Sequence, residues 1–298
     1  MALKTTLNQW LTLAEIDKAG SIQGAATALN KSHTTLIYAI RKLESQMGVA
    51  LVQVQGRRAV LTDHGKSLLR RAQAMIEQAN ALEEAGTQLA RGMEAELTVA
   101  IDHLCDRDWL YQPLAQFLQH NSTTSVQIVE TSLTKTTAMV EQQQADLAII
   151  NIPIANHSCD AFGITTMRPV VARSHPLAQV QGLRIDDLAA ATQIVVRDLG
   201  SNQHSNRNVG WLKSTQRITV DNFDHAWNTV KLGLGYCRLP QHVINAYSDD
   251  SVVVLAVAQA SSYQIPLHLT LPKGVKSGPA ALQLHQLLLD SVNQRSKG

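Results

Sequence analysis

The chain has 298 residues, of which 45% are hydrophobic and 17% are charged. This length exceeds what one small domain needs, so two or three domains are expected. The formal net charge of +2 excludes a uniformly basic or acidic polypeptide. No segment approaches the roughly 20 apolar residues that span a bilayer, and the N-terminus has no long apolar core behind a basic start. We therefore expect neither a membrane span nor a signal peptide.

Three cysteines, Cys105, Cys159 and Cys237, are far apart in the sequence. They form no CxxC motif, and no Cys/His group has the spacing of a zinc site. The sequence therefore predicts reduced thiols in the cytoplasm, with no metal and no cofactor.

The positive charge is concentrated near the N-terminus. Residues 1–91 contain 11 Lys+Arg and 7 Asp+Glu, a balance of +4, which leaves −2 for the remainder. Residues 31–71 alone contain 8 basic and 2 acidic residues, a balance of +6. A local basic surface of this kind is typical of proteins that contact phosphates.

Three short helices are predicted at the N-terminus. The first is amphipathic, starts at Leu7 and ends near Gly20. The next two follow Ser21 and Ser32, whose hydroxyls are suited to cap them. The third helix has an apolar face of Leu36, Ile40, Leu43 and Met47.

The opposite face of the third helix is rich in hydrogen-bond donors and has no acidic residue. It consists of His33, Thr34, Thr35, Tyr38, Arg41 and Lys42. Such a helix can lie in the major groove of DNA; the alternative is an ordinary solvated helix. Ser21, Gln23 and Ser32, at the helix starts, are included in the predicted DNA-binding set.

Two β-prone runs flank the sequence Gln55-Gly56-Arg57-Arg58 and predict a hairpin, which beside two such helices is a wing. Arg57 and Arg58 at its tip would contact a phosphate or the minor groove. The alternative is a loop with two solvated arginines.

A long helix is predicted after Thr62. Leu68, Met75, Leu82 and Leu89 are seven residues apart, and a second row contains Ala72, Ala79 and Gly86. This heptad pattern indicates a linker helix of roughly 28 residues and 40 Å that pairs with a second copy. The alternative is packing on its own domain.

An ordered set of residues in this half resembles the DNA-binding domain of the LysR-type transcriptional regulators. The set is Ala19-Gly20-Ser21, Ala25-Ala26, Leu29, Ser32, Ile40, Leu43-Glu44, Gly48, Leu51, Leu61-Thr62 and Gly65. The chain departs from the family pattern at His33-Thr34-Thr35, at Ile37, where a serine is common, and at Val52-Gln53-Val54, where an arginine is usual. The resemblance implies the fold and DNA binding, but no particular operator sequence.

From about residue 93, strand-like and helix-like runs alternate, which predicts an α/β fold with largely parallel sheets. The strand candidates are Leu97–Ile101, Val126–Glu130, Asp146–Ile150, Pro169–Ala172, Ile194–Arg197, Arg217–Val220, Val252–Val257 and Pro266–Leu271. The helix candidates lie near Trp109–Leu118, Leu133–Gln143, Asp186–Ala190, His225–Leu232, Gln241–Ala246 and Pro279–Val292.

This half resembles the effector domain of the same family, of periplasmic-binding-protein type. The shared motifs are Asp146-Leu147-Ala148-Ile149, His175-Pro176-Leu177-Ala178, Asp187-Leu188-Ala189, Gly233-Leu234-Gly235 and Leu239-Pro240. The predicted organisation is a winged helix-turn-helix domain at 1–61, a linker dimerisation helix at 62–92 and an effector-binding domain at 93–298. Subdomain I would comprise about 93–164 and 266–298, and subdomain II about 165–265.

The cleft between the subdomains is the predicted effector site, since ligands of such sheets bind beyond the carboxyl ends of strands. By order of elements, its wall would contain Asp102, His103, Thr131, Ser132, Thr134, Asn151, Arg197, Asp198, Asp221 and Asn222. Thr131 to Thr134 at a helix N-terminus would seat an anion, and Arg197 would add a bidentate contact. The three aspartates would repel an anion unless they are paired. The hypothesis is a small polar organic acid or a zwitterion; for each residue, the alternative is a strand-end group that meets water.

No nucleophile elbow, dinucleotide-binding fingerprint or P-loop is present, so no enzymatic activity is predicted. The predicted function is a DNA-binding transcriptional regulator that responds to a small-molecule effector. We expect it to be a homodimer that forms a homotetramer on double-stranded DNA, with RNA polymerase as a possible further partner. A thiol redox-responsive regulator with an activated Cys105 is one alternative, and a solute-binding protein is a remote one.

Overall fold

The computed structural model describes residues 3–56, 58–200 and 214–295. The chain divides into two compact units, Met1–Ala90 and Arg91–Gly298. Among the described residues, no helix is long and apolar enough to cross a membrane.

The first unit is a winged helix-turn-helix followed by a long helix, as predicted. Its elements are α1 (Leu7–Ala19), α2 (Ile22–Ala28), α3 (His33–Met47), β1 (Val52–Gln55), β2 (Arg58–Leu61) and α4 (Asp63–Ala90). Strands β1 and β2 form an antiparallel hairpin in which Gln55 pairs with Arg58. The core is built from fully buried Leu13, Ile16, Leu36 and Leu43.

The ends of these helices follow the sequence signals. Gly20 and Gly48 have φ values of 65° and 74° and end α1 and α3 in the left-handed conformation, which glycine adopts without steric cost. Thr62 caps α4, since its Oγ1 accepts a hydrogen bond from the N–H of Gly65 at 3.0 Å.

Helix α4 has 28 residues and only a short buried stretch within this unit. Ala72 and Ile76 are buried near its start. Met75, Leu82 and Leu89 are 41%, 73% and 48% exposed in the single chain. The second half of the helix therefore presents an apolar row to its surroundings.

The second unit alternates strands and helices. Its strands are β3 (Glu96–Asp102), β4 (Ser125–Thr131), β5 (Leu147–Ile150), β6 (Cys159–Ala172), β7 (Gln193–Val196), β8 (Arg217–Val220), β9 (Tyr236–Pro240), β10 (Val252–Val254) and β11 (Tyr263–Thr270). Its α-helices are α5 (Asp108–His120), α6 (Leu133–Glu141), α7 (Ile185–Ala190), α8 (Phe223–Lys231), α9 (Gln241–Tyr247) and α10 (Pro279–Arg295). Short 3₁₀ turns lie at Pro176–Gln179 and Gly274–Lys276.

The sheet contains two parallel groups joined by antiparallel strands. Its order is β4-β3-β5-β11-β6-β9-β7-β8, with β10 paired to β6. Strands β3, β4 and β5 are parallel, and so are β7, β8 and β9. Strand β11 is antiparallel to both β5 and β6. Strands β6 and β11 therefore lie between the two parallel groups in the sheet.

The longest strand was largely missed by the sequence prediction. β6 runs for 14 residues from Cys159, whereas the prediction began at Pro169. β6 contains Gly163, a position that leaves no room for a side chain, because a Cβ there would lie 2.2 Å from the Trp109 ring. Strand β9 was also absent from the predicted strands; it follows Gly233, whose φ of 75° ends the preceding helical segment.

Each parallel group has its own hydrophobic core. Leu97, Phe117, Leu147 and Leu284 belong to the core around β3 and β5. Val170, Ile194, Trp227 and Leu239 belong to a core around β7 and β9.

Candidate DNA-binding surface and effector cleft

The donor-rich face of α3 is exposed along its length. His33, Thr34, Thr35, Arg41 and Lys42 are all exposed. Tyr38 on the same face is 68% exposed. Among the described residues, Arg41 and Lys42 form no ion pair. The cationic groups are therefore available to a phosphate or a base edge.

The two serines in the predicted set are helix caps. Ser21 Oγ accepts from the N–H of Gly24 at 3.0 Å, and Ser32 Oγ accepts from the N–H of Thr35 at 3.1 Å. Ser32 Oγ also lies 2.9 Å from the hydroxyl of Thr34. These caps fix the start of each helix, while Gln23, in the first turn of α2, is exposed.

The wing is attached to α3 by a carboxylate that the sequence prediction did not single out. Glu44 Oε1 accepts from the N–H groups of Leu51 and Val52 at 2.8 and 3.1 Å. Arg58 in the hairpin is exposed, and Arg57 lies outside the described residues. Glu44 therefore sets the position of the hairpin, including Arg58, relative to α3.

A cavity in the second unit, here called the cleft cavity, lies where the two parallel groups face each other. Its cavity volume is about 80 Å³, which is below the usual range for drug-sized ligands and suits a small molecule. Its walls are mostly apolar and include Leu104, Leu133, Met167, Ile194, Phe223 and Ile265. Of the predicted effector residues, His103, Asn151 and Arg197 line it.

The expected anion seat at the start of α6 is occupied within the chain. Asp198 accepts hydrogen bonds from the hydroxyls of Ser132 and Thr134 and from the N–H of Thr134 at 3.3 Å. The N–H of Leu199 donates to Ser132 Oγ at 2.7 Å. Asp198 thus bonds to the groups that were expected to hold a ligand, although it comes from the other side of the cleft.

Two further predicted residues are buried and bonded internally. Asp102 accepts from the N–H groups of Leu104 and Leu133 at 3.0 and 2.9 Å, and burial raises the pKa of its carboxyl. Thr131 is fully buried, and its hydroxyl bonds to Ile101 O and to the hydroxyl of Thr136. Both side chains hold the edge of the sheet in place.

Of the remaining predicted residues, Arg197, Asp221 and Asn222 are exposed at the rim, whereas His103 is largely buried. Arg197 forms a salt bridge with Asp221, and both side chains are more than half exposed. Asn222 caps α8 by accepting from the N–H of His225 at 2.8 Å. His103 packs on Phe223, with ring centroids 4.8 Å apart, and burial lowers its pKa.

The whole of this architecture matches known families. A model of the LysR substrate binding domain matches residues 90–293, and a model of the bacterial regulatory helix-turn-helix protein of the lysR family matches residues 7–66. The chain belongs to the LysR family of transcriptional regulators. It therefore combines a helix-turn-helix DNA-binding domain with an effector-binding domain.

Several named relatives agree with this assignment. The regulator YeeY of Escherichia coli K12 is 27% identical over 258 residues, which cover 85% of this chain and 83% of YeeY. The regulator YhaJ of the same strain is 25% identical, with 80% of this chain and 81% of YhaJ covered. Full-length LysG of Corynebacterium glutamicum has the same fold, with a TM-score of 0.52, 19% identity and coverage of 97% and 98%.

The sequence analysis of this LysR-family chain missed the apolar wall of the cleft cavity and a charged residue in its lining. Arg238 on β9 lines the cleft cavity beside Tyr263. The sequence feature that could have indicated Arg238 is that it is the single cation within the run Tyr236–Pro240.

The thiols do not support the redox alternative for this LysR-family chain. Cys105 and Cys237 are buried. Burial raises the pKa of each to about 12, so both are protonated at neutral pH. The activated thiolate that was considered at Cys105 is not supported, because burial and the nearby Asp106 raise its pKa more than Arg295 lowers it.

Proposed function

We propose that the chain controls transcription by binding two DNA half-sites as a homodimer, two of which form a homotetramer. The observation that carries this is the exposed face of α3, which combines Arg41, Lys42 and Tyr38 and has no acidic side chain. A recognition helix in the major groove needs such donors. It acts as a regulator rather than an enzyme, and it works in the cytoplasm, where its DNA is.

Helix α4 is the proposed dimer contact. Leu82 is 73% exposed and Leu89 is 48% exposed in the single chain. Burying such a row stabilises a pair of helices by about 25 cal/mol per Å² of apolar surface. Pairing would place two recognition helices one or more DNA turns apart.

The proposed signal is a small organic acid or zwitterion that enters the cleft cavity. LysG of Corynebacterium glutamicum has been solved with its effector arginine bound, which supports a small polar ligand as the general kind. Ligand binding favours one arrangement of the two parallel groups over the other. That shift changes the DNA bend and the contacts available to RNA polymerase.

The groove assignment is tested by selecting binding sites from random duplexes with the wild type and Tyr38→Ala. We expect Tyr38→Ala to change the base preference at one or two positions, by about 1–3 kcal/mol each. Arg41→Ala should instead weaken binding to all duplexes and reduce the salt dependence by about one phosphate contact.

Tyr111→Ala is the matched control, because Tyr111 is 49% exposed and belongs to the second unit. It should select the same sequences as the wild type. If Tyr38→Ala also selects the wild-type sequences, the face of α3 does not read DNA as proposed.

A further inference from the structure

Arg238 is a cation in an otherwise apolar strand. Its neighbours Tyr236, Cys237, Leu239 and Pro240 on β9 are all buried. In the register of β9 with β6, Arg238 is opposite Pro169, and Pro240 is opposite Met167. Arg238 therefore shares the face of Met167, which lines the cleft cavity.

The guanidinium of Arg238 is only partly satisfied. Its Nη2 donates to Ala260 O at 3.0 Å, and its central carbon lies 5.3 Å from the centre of the Tyr263 ring. Its Nη1 is shielded from solvent and has no hydrogen-bond partner among the described residues. Within 3–56, 58–200 and 214–295, no carboxylate forms a salt bridge with it. A half-buried cation without a counter-ion that leaves one solvent-shielded donor unbonded carries a desolvation cost in the ligand-free fold.

The other charged groups of the cleft are already paired. Arg197 is bonded to Asp221 at the exposed rim. The N-terminus of α6 is bonded to Asp102 and Asp198. Among the cavity-lining arginines of the described part of the chain, Arg238 is thus the one that has no carboxylate partner and has a solvent-shielded donor left unbonded.

We propose that Arg238 binds the anionic group of the effector and that the effector is a monoanion with an apolar body. The single spare cation matches one negative charge. Leu104, Phe223 and Ile265 would contact the apolar part, since they form the surrounding wall. This assignment rests on the proposed effector-controlled function and replaces the α6 seat as the site of the ligand's charge.

The same proposal makes a prediction for the protein without any ligand. If the role of Arg238 is structural, its charge should raise the free energy of unfolding. If its role is to bind a ligand, its uncompensated charge should lower the free energy of unfolding of the ligand-free protein. Arg238→Met retains the length of the side chain and removes the charge. We therefore expect a higher thermal unfolding temperature for Arg238→Met than for the ligand-free wild type.

The experiment compares full-length wild type, Arg238→Met, Arg238→Lys and the control Arg217→Met by thermal unfolding; Arg217 is exposed and lies outside the lining of the cleft cavity. The probes are hexanoate and phenylacetate at millimolar concentration, each beside its neutral amide, hexanamide or phenylacetamide. We expect the acids to stabilise the wild type and Arg217→Met, and the amides to do so much less. Arg238→Met should lose the preference for acids, with at least a roughly tenfold weaker affinity. Arg238→Lys should keep the preference with reduced affinity, because it retains the charge without the planar fork.

Several results would overturn the assignment. One is an Arg238→Met protein that is less stable than the ligand-free wild type, since Arg238 would then serve the fold. Others are equal stabilisation of the wild type by acids and amides, equal responses of the wild type and Arg238→Met, or no acid-dependent stabilisation of the wild type. DNA affinity is measured separately with the same compounds. If amides and acids both change it, the chain is controlled by an effector, and only the proposed role of Arg238 is wrong.

Discussion

The pKa of His103 depends on the burial and the charges around it in the cleft. This side chain lies against Phe223, and three acidic groups, Asp102, Glu130 and Asp198, act to raise its pKa. Burial nevertheless prevails and lowers the pKa from the ordinary value of 6.5. His103 is therefore neutral at pH 7 and acts in the cavity as a polar but uncharged side chain.

This lowered pKa predicts a dependence of stability on pH. Between the lowered pKa and about 6.5, the unfolded chain binds a proton that folded His103 does not, so the free energy of unfolding falls as the pH falls. His103→Gln should make this fall smaller between about pH 7 and pH 5.5. Chemical denaturation of both proteins across that range measures it.

Asp102 does not produce this effect. Its pKa is raised by burial, so the folded state gains a proton before the unfolded one and the sign is opposite. An unchanged pH slope in His103→Gln would show that the other histidines, rather than His103, carry the dependence.

The limits of sequence prediction are clear at the residue scale. The expected anion seat was placed at the correct helix, but its partner Asp198 is 64 residues from Thr134. Spacing along the chain does not reveal which distant side chain meets a helix N-terminus. The repulsion that Asp102, Asp198 and Asp221 would exert on an anion was noticed in the sequence. Only the fold shows that Asp102 and Asp198 accept hydrogen bonds within the chain and that Asp221 forms a salt bridge.

Among the elements, those with strong periodicity were predicted well. Helix α4 begins one residue after its predicted cap and has the expected 28 residues, because a heptad pattern persists over its length. The first part of β6 escaped prediction because it mixes exposed and buried positions around Gly163. Its identity as a strand depends on pairing with β11, about 100 residues away.

Helix α4 contains two glycines with opposite expected behaviour. A Cβ on Gly65 would lie 2.2 Å from Leu51 O, whereas nothing lies within 4 Å of one on Gly86. Gly65→Ala should lower the free energy of unfolding by roughly 1–3 kcal/mol through forced backbone movement. Gly86→Ala should raise it by roughly 0.5–1 kcal/mol, since alanine favours a helix.

Urea denaturation of the two variants at one protein concentration compares them directly. If Gly65→Ala is as stable as Gly86→Ala, the close approach between α4 and the wing does not exist as described.

The exposed apolar row of α4 predicts that a charged residue within it disrupts the proposed dimer. Leu82→Asp places a charge in the centre of the proposed helix pair and should reduce the mass in solution, because a buried unpaired carboxylate is unfavourable. Ala81→Asp introduces the same residue at an exposed neighbour outside the heptad rows and should leave the mass unchanged. Sedimentation equilibrium measures the mass of each variant. Equal masses for wild type and Leu82→Asp would rule out pairing through this row of α4.

At the scale of the whole molecule, ligand binding in one compact unit has to change DNA binding by the other. The cleft cavity lies in the second unit and the donor-rich face of α3 lies in the first. Thermodynamic linkage then requires that a ligand which changes DNA affinity is itself bound with a changed affinity when DNA is present. Effector control in this form requires that the chain recognise specific DNA through paired recognition helices.

The most direct measurement is recovery of fragments from sheared DNA of the source organism by the purified full-length protein at low ionic strength. The account predicts enrichment of a small set of fragments, each with two related half-sites separated by about 10 base pairs or a multiple of that spacing. Lys42→Ala and Arg58→Ala should reduce their recovery, because each removes a contact to the backbone. Recovery of fragments in proportion to their abundance, with no shared half-site, would contradict the account.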